Sequence, residues 1–292
     1  MGKCSLTCNE FADVACKLYE QECKDFKGFK KAPTPYLDES SSPVEDWDSQ
    51  GNLASSAARL IMKAYWLARL SRPDLLHGLN ELSKRISKWS GNDDRRLFRV
   101  FCYLNGTKHY RMRLKLDPDA EWKLWLFTDA DHASKVDHGY STSGSLLAIA
   151  GGGSFFPVTF QSKRQTACSR STTEAEAIAL ASALFSDAIP AQQFLSQLFG
   201  TQIPLTCHQD NTATIQVIRN GYSARLRHLG KTHKINVQGL YDAFKEPDIS
   251  IQHCPTELQA ADIFTKSLEV HKWQAALDMI GMFDPYKAIA DP

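Results

Sequence analysis

Apolar positions recur at helical spacing through the first third of the chain. Ala57, Leu60, Ile61, Ala64, Tyr65 and Ala68 share one face of a helix expected over about 53–70. Ser71-Arg72-Pro73-Asp74 breaks that run, and Pro73 suits the first turn of a second helix carrying Leu75, Leu79, Leu82 and Ile86. A third begins near Asn92-Asp93-Asp94, presents Leu97, Val100, Phe101 and Leu104, and stops at Asn105-Gly106. Residues 9–30 also have helical character, and a linker rich in Pro, Ser and acid follows from Ala32-Pro33-Thr34-Pro35.

Beyond about residue 120 the alternation becomes strand-like. One strand fits 123–129, with Lys123, Trp125, Phe127 and Asp129 on one face. Two more flank Gly151-Gly152-Gly153 and predict a hairpin, in which Pro157 favours an edge or a bulge. Ser171 and Glu174 form a capping-box pair ahead of an Ala-rich helix over about 171–187. A strand at 204–209 leads into a short helix from Asn211 or Thr212 and a longer one near 230–245. A last strand, 248–253, precedes a helix near Glu257. Hairpin strands first, then strands alternating with helices, imply a mixed α+β (α/β) domain with one mixed sheet flanked by helices.

Composition narrows the class. Apolar content of 43% and charged content of 23% are ordinary for a globular chain. The formal charge of +1 hides an asymmetry: ten Lys/Arg between Lys84 and Lys115 face only Asp93 and Asp94. The stretch from Gly221 to Lys234 carries Arg, Lys and His with no acid. Either suits a polyanion, or a solvated helix face. No apolar run approaches the ~20 residues of a membrane span, and the N-terminus lacks a signal-peptide core. The expectation is an intracellular protein, cytoplasmic or nuclear, with free thiols. Cys4, Cys8, Cys16 and Cys23 lack a CxxC pair and read as ordinary thiols rather than a zinc site.

Candidate chemistry lies in four carboxylates. Asp129 and Asp210 end strands, Glu176 lies in the Ala-rich helix, and Asp262 lies in Ala260-Ala261-Asp262-Ile263-Phe264-Thr265-Lys266. Strand ends in an α/β sheet gather sites, and clustered carboxylates suit Mg²⁺. Glu174 and Glu176 are about 200° apart on a helix, so one at most faces a given site; the small residues around them do not decide which.

The blocks Thr128–Ala133, Ser141–Gly144, Gln161–Thr166, Ser171–Leu180, Asp210–Ile215 and Pro255–Lys266 resemble, in order and spacing, the ribonuclease H domain of Ty1/copia-type retrotransposon polyproteins. Leu70–Leu76, Leu82–Lys84 and Phe101–Lys108 resemble the thumb/connection-like region before that domain. The resemblance implies a ribonuclease H-like five-stranded mixed sheet flanked by helices, preceded by a small helical module. Residues 1–50 would be an N-terminal segment and linker, 51–118 the helical module, 119–268 the ribonuclease H-like domain, and 269–292 a helix or tail. It places the metal ligands on Asp129, Glu176, Asp210 and Asp262. Two Mg²⁺ ions about 4 Å apart, replaceable by Mn²⁺, would hydrolyse the RNA strand of an RNA/DNA hybrid, with Asp129 bridging both. His253 is a candidate for proton transfer. Arg95, Arg96, Arg99, Lys163, Arg164, Gln165, Arg227 and Lys231 are candidates for holding the hybrid, with Gln161 to Gln165 read as a polar strand-end loop reaching 2′-hydroxyls. The polymerase domain of the same polyprotein is an implied partner, since no Tyr-x-Asp-Asp motif is present. A non-catalytic hybrid-binding module or structural subunit is the alternative, and an integrase- or resolvase-like nuclease a third reading.

Overall fold

The helix signals become helices in the computed structural model, which describes residues 2–37, 47–132, 140–223, 226, 228–232 and 235–287. Two compact units result, one of Met1–Cys4 with Leu114–Lys266, the other of Ser5–Arg113 with Ser267–Pro292. The second unit therefore takes in the N-terminal helix and the C-terminal helix with the helical module, where separate end segments were expected.

After a short strand β1 (Gly2–Leu6), the helical unit contains α1 (Asn9–Glu22), α2 (Ala57–Leu70), α3 (Leu76–Ser83) and α4 (Gly91–Gly106). Helix α1 stops earlier than its composition suggested. Ser90 caps α4 reciprocally with Asp93, and the apolar faces bury Leu60, Ile61, Leu67, Leu79, Leu97 and Phe101. Pro73 opens a 3₁₀ turn, Pro73–Leu75, ahead of α3. Around that turn Arg72 lies buried. Its guanidinium donates to Asp74 at 3.0 and 2.7 Å and to Thr107 Oγ1 at 2.7 Å and its carbonyl at 2.9 Å. Tyr103 Oη donates to Asp74 at 2.8 Å, and Trp273 Nε1 to Tyr103 at 3.3 Å. That network accounts for the Ser-Arg-Pro-Asp block structurally: a buried charge pair persists only when each partner is bonded.

The sheet unit starts in β2 (Arg111–Leu116) and continues through β3 (Lys123–Asp131), β4 (Tyr140–Gly151) and β5 (Ser154–Cys168). There follow α5 (Thr172–Ala183), a π turn Leu184–Ala188, and α6 (Ile189–Phe199). Strand β6 (Leu205–Gln209), α7 (Thr212–Asn220), α8 (Leu229–Thr232), α9 (Val237–Ala243) and β7 (Ile249–His253) complete it. Strand order is β1-β2-β5-β4-β3-β6-β7, antiparallel through β5-β4-β3 and parallel through β3-β6-β7. The expected five-stranded mixed sheet is thus present, and β2 extends it by pairing Lys115 with Phe155. Gly151, Gly152 and Gly153 turn the hairpin at φ of 114°, 57° and 81°, values that a side chain disfavours. Pro157 sits at a bulge, where the register against Leu147 and Ala148 slips by one residue. Leu124, Leu126, Leu147, Leu180, Leu205, Cys207, Ile215 and Ile218 form the core between sheet and helices.

Three expectations are corrected. The Ala-rich helix ends at Ala183, and the turn and α6 beyond it had no clear signal. The longer helix near 230–245 is reduced to α8 and α9. In place of a helix near Glu257 there are two 3₁₀ turns, Thr256–Leu258 and Asp262–Phe264. Strand β8 (Met282–Phe283), after α10 (Val270–Met279), pairs with Arg111 and Met112 in the helical unit.

Asp74→Ala would leave the Arg72 guanidinium buried without its counter-ion. Equilibrium denaturation of the variant should show a loss of about 3–5 kcal/mol; a loss under 1 kcal/mol would remove this network from the stability of the helical unit.

Candidate active site

Parallel pairing sets the carboxylates side by side. Phe127 lies opposite His208 across β3 and β6, so the chain places Asp129 and Asp210 at the same end of neighbouring strands. On the other side of β3, Asp129 is opposite Gly144. A Cβ at Gly144 would stand 2.6 Å from Thr265 Cγ2, 2.9 Å from Phe264 Cβ and 3.0 Å from the Ala261 carbonyl oxygen. Glycine there lets the Asp262 turn close against β4. Gln259, fully buried, pins the same turn: its Nε2 donates to the Thr128 carbonyl at 3.2 Å, and its Oε1 accepts from Ala261 N–H at 3.3 Å. Carboxylate oxygens of Asp129, Asp210 and Asp262 come within 4.8 Å of one another, among the described residues a grouping suited to a metal ion.

Glu176 completes the cluster from α5. Ala175 and Ala179 pack on Ala130, so the helix approaches β3 closely. The Ala130 N–H donates to the Glu176 carboxylate, and Gln209 Nε2 donates to it at 3.3 Å. Glu174 faces elsewhere, accepting from Arg170 N–H at 3.1 Å and bonding His228 at 2.9 Å. Of the two, Glu176 is the one that feels the charges of Asp129 and Asp210.

The electrostatics follow from burial and crowding. Burial, then the charges of Asp129 and Asp210, push Glu176 from 4.5 up to about 9. Burial and Asp129 push Asp262 from 3.8 to about 6, against a lowering by Lys266. Lys266 Nζ stands 3.1 Å from Asp129 Oδ1 and 2.8 Å from Asp262 Oδ1. Burial by itself lowers the Lys266 pKa, but Asp129 and Asp262 outweigh it and hold the ammonium above its ordinary value. Thr265 Oγ1 donates to the other oxygen of Asp129. The donor set is all hard oxygen with excess negative charge, and so fits Mg²⁺ or Mn²⁺.

The remaining candidates divide. His253 is exposed at the end of β7, opposite Gln209. Gln161 to Gln165 lie inside β5, not in a loop. Gln165 is buried and committed: it donates to Ser143 Oγ at 3.0 Å and the Ala175 carbonyl at 2.9 Å, and accepts from Ser169 at 2.6 Å. Lys163 is exposed, and the Arg164 guanidinium lies 4.0 Å over the Tyr140 ring; both line a cavity of about 450 Å³ beside β4, β5, α5 and α9. Arg99 is turned inward, its Nε donating to the Thr34 carbonyl at 2.7 Å. Arg95 is exposed, Arg96 lies 4.8 Å over Trp47, and Lys231 is exposed on α8. Arg227 lies outside the described residues. The sequence reading missed Gly144, Gln209, Gln259, Thr265 and Lys266 as parts of the site. Gly144, Gln259, Thr265 and Lys266 fell in blocks already singled out, but nothing in the sequence assigned them contacts.

No family model matches the chain. Over 241 residues it is 27% identical to the retrovirus-related Pol polyprotein from transposon TNT 1-94 of Nicotiana tabacum, covering 80% of this chain and 17% of that protein. The Pol polyprotein from transposon RE2 of Arabidopsis thaliana is 27% identical over 73% of this chain and 14% of its own length. The chain therefore spans less than a fifth of these polyproteins. The secreted RxLR effector protein 161 of Plasmopara viticola is 35% identical over 118 residues, 40% of this chain and 79% of that protein. Among solved structures, an LC11 ribonuclease H1 in complex with an RNA/DNA hybrid matches at 17% identity and a TM-score of 0.32, over 49% of this chain and 94% of that one.

Two outcomes follow from the crowding. Because Glu176 binds its proton more tightly when folded, its contribution to stability is full below about 4.5 and is lost as pH rises towards 9; Asp262 acts likewise between 3.8 and about 6. In chelator the melting temperature should fall by on the order of 5 °C from pH 5 to pH 9. Glu176→Gln should flatten most of that fall, and Mg²⁺ should stabilise more at the alkaline end; a flat wild-type profile would contradict the crowding. Gly144→Ala should cost about 1–3 kcal/mol and weaken Mn²⁺ binding together, by denaturation and by titration.

Proposed function

Because the chain is a homologue of the Pol polyproteins of copia-type transposons, we propose that it is a metal-dependent endoribonuclease acting on the RNA strand of RNA/DNA hybrids. The observation that carries this reading is the convergence of Asp129, Asp210 and Asp262 within 4.8 Å, with Glu176 near enough to feel the charges of two of them. Each would offer carboxylate oxygens to divalent cations, and Asp129 has the central position: the charges of Asp129 and Asp210 both act on Glu176 and Asp262, and that of Asp129 is the larger on each. Bound Mg²⁺ or Mn²⁺ would supply an activated water and stabilise the charge on the leaving oxygen.

The protein's own contribution is orientation and exclusion of competing contacts. Gln209 and the Ala130 N–H hold the Glu176 carboxylate, Gln259 holds the Asp262 turn, and Thr265 fixes the plane of Asp129. Residues locked by such partners lose little freedom on ligand binding. Lys163 and Arg164 of the sheet unit and Lys231 of α8 are the cations we assign to hybrid phosphates there. Arg95 and Arg96 would serve in the helical unit, and the inward-facing Arg99 and buried Gln165 are withdrawn from that role. His253 is retained as a strand-end group available for proton exchange with solvent.

The test is cleavage of end-labelled RNA/DNA hybrid in Mg²⁺ beside duplex DNA, duplex RNA and single strands. Hybrid-only cleavage, reduced at least about 100-fold in Asp210→Asn, is expected. Hybrid binding without cutting in either Mg²⁺ or Mn²⁺ would replace the enzyme reading with a binding module. Cutting of duplex DNA would transfer the site to another nuclease class.

A further inference from the structure

The carboxylate cluster already holds one cation, and it belongs to the chain. Lys266 reaches back four residues to Asp262 at 2.8 Å and across to Asp129 at 3.1 Å, in a turn closed by its own N–H bonding the Asp262 carbonyl at 2.9 Å. Asp129 consequently has Oδ1 engaged by Lys266 and Oδ2 by Thr265. Each oxygen of the central carboxylate keeps a further lone pair, but the ammonium on Oδ1 sets a positive charge beside the place a divalent cation would take.

The partners differ in their freedom to move. The side chain of Asp129 is 2% exposed and that of Asp262 14%, whereas that of Lys266 is 37% exposed. A lysine carries a flexible stem and a compact charge, and can carry its ammonium into solvent. Thr265 is buried and bonded to the Asp262 carbonyl as well, so it is not the group that leaves.

We propose that Lys266 is a built-in counter-cation that competes with divalent metal for Asp129 and Asp262, and so sets the metal concentration at which the site fills. This rests on the reading of the cluster as a metal site. In the metal-free protein the ammonium offsets the mutual repulsion of the carboxylates. When metal enters, the ammonium is repelled from Asp129 Oδ1, and the work of moving it raises the apparent dissociation constant of the ion that binds beside it. Lys266 thereby acts as a positioning residue whose effect is on occupancy.

Binding of Mn²⁺ to the whole chain, followed at about pH 8.5 by electron paramagnetic resonance and by calorimetry, tests this without reference to activity. Lys266→Met and Lys266→Gln should each bind the weaker ion at least about tenfold more tightly than wild type, while Lys266→Arg stays near wild type. The same neutral variants should melt lower than wild type in chelator and gain more from added Mn²⁺. The glutamine variant keeps a donor for the carboxylates and guards against loss of folding in the methionine one. Neutral variants that bind Mn²⁺ no better than wild type would overturn the competition while leaving the metal site standing. Weaker binding in them would show that Lys266 helps assemble the site, which also overturns it. Wild type that binds no Mn²⁺ would remove the metal reading itself, and this inference with it.

Discussion

Like charges held close in a buried place are the constraint on which the sheet unit depends. Asp129 and Glu176 are 1% and 3% exposed, and the Asp129 charge opposes ionisation of Glu176. Such an arrangement is unstable by itself, and each element around it supplies a compensation. The Ala130 amide and Gln209 donate to Glu176; Thr265 and Lys266 donate to Asp129; Lys266 again donates to Asp262. A cluster that needs this much support in the free protein is one in which a divalent cation does more than occupy space: it removes the repulsion that the fold only contains.

The local sequence follows from how tightly the elements must close. Small residues in α5 are there because Ala175 and Ala179 meet Ala130 on β3, which brings Glu176 to the strand end. Gly144 is there because the Asp262 turn passes where its Cβ would be. Parallel pairing of β6 with both β3 and β7 sets their chain ends together, so Asp129, Asp210 and the turn after His253 converge from separate stretches of sequence. Remove any of these approaches and the carboxylates remain in the chain but not in one place.

What could be read from the sequence divides along the same physical line. Strands β3 to β7 and helices α2 to α4 carry a strong apolar period or punctuation by glycine and proline, and those marks are local. The site acids were legible because carboxylates at strand ends are chemically conspicuous and stand in recognisable blocks. Gln209 and Gln259 were not, since a glutamine that will be fully buried looks, in sequence, like one on the surface. The same blindness affects the cations. Arg99 belongs to a basic stretch that reads as an exposed face, yet it donates to the Thr34 carbonyl. Charge counting identifies a basic segment; only tertiary structure shows which of its cations are committed to internal partners. The 3₁₀ turn at Asp262 was missed for a related reason, because four apolar or small residues around an acid read as a short amphipathic helix.

That commitment changes what the basic character of the chain means. Arg72, Arg85 and Lys108 are tied to Asp74, Asp93 and Asp13, and Arg99 to a backbone carbonyl. Of these, Arg72 and Arg85 pair with buried carboxylates, whereas the Lys108–Asp13 pair is exposed and contributes little to stability; each paired charge is offset by its partner when a polyanion is at a distance. Lys266 stands apart from both kinds. Its partners are internal, but they are the very acids assigned to the metal, and its side chain is exposed enough to leave them. A cation in that position links the stability of the free protein to the occupancy of the site, so the interaction that makes the carboxylate cluster tolerable is also the one that a metal works against.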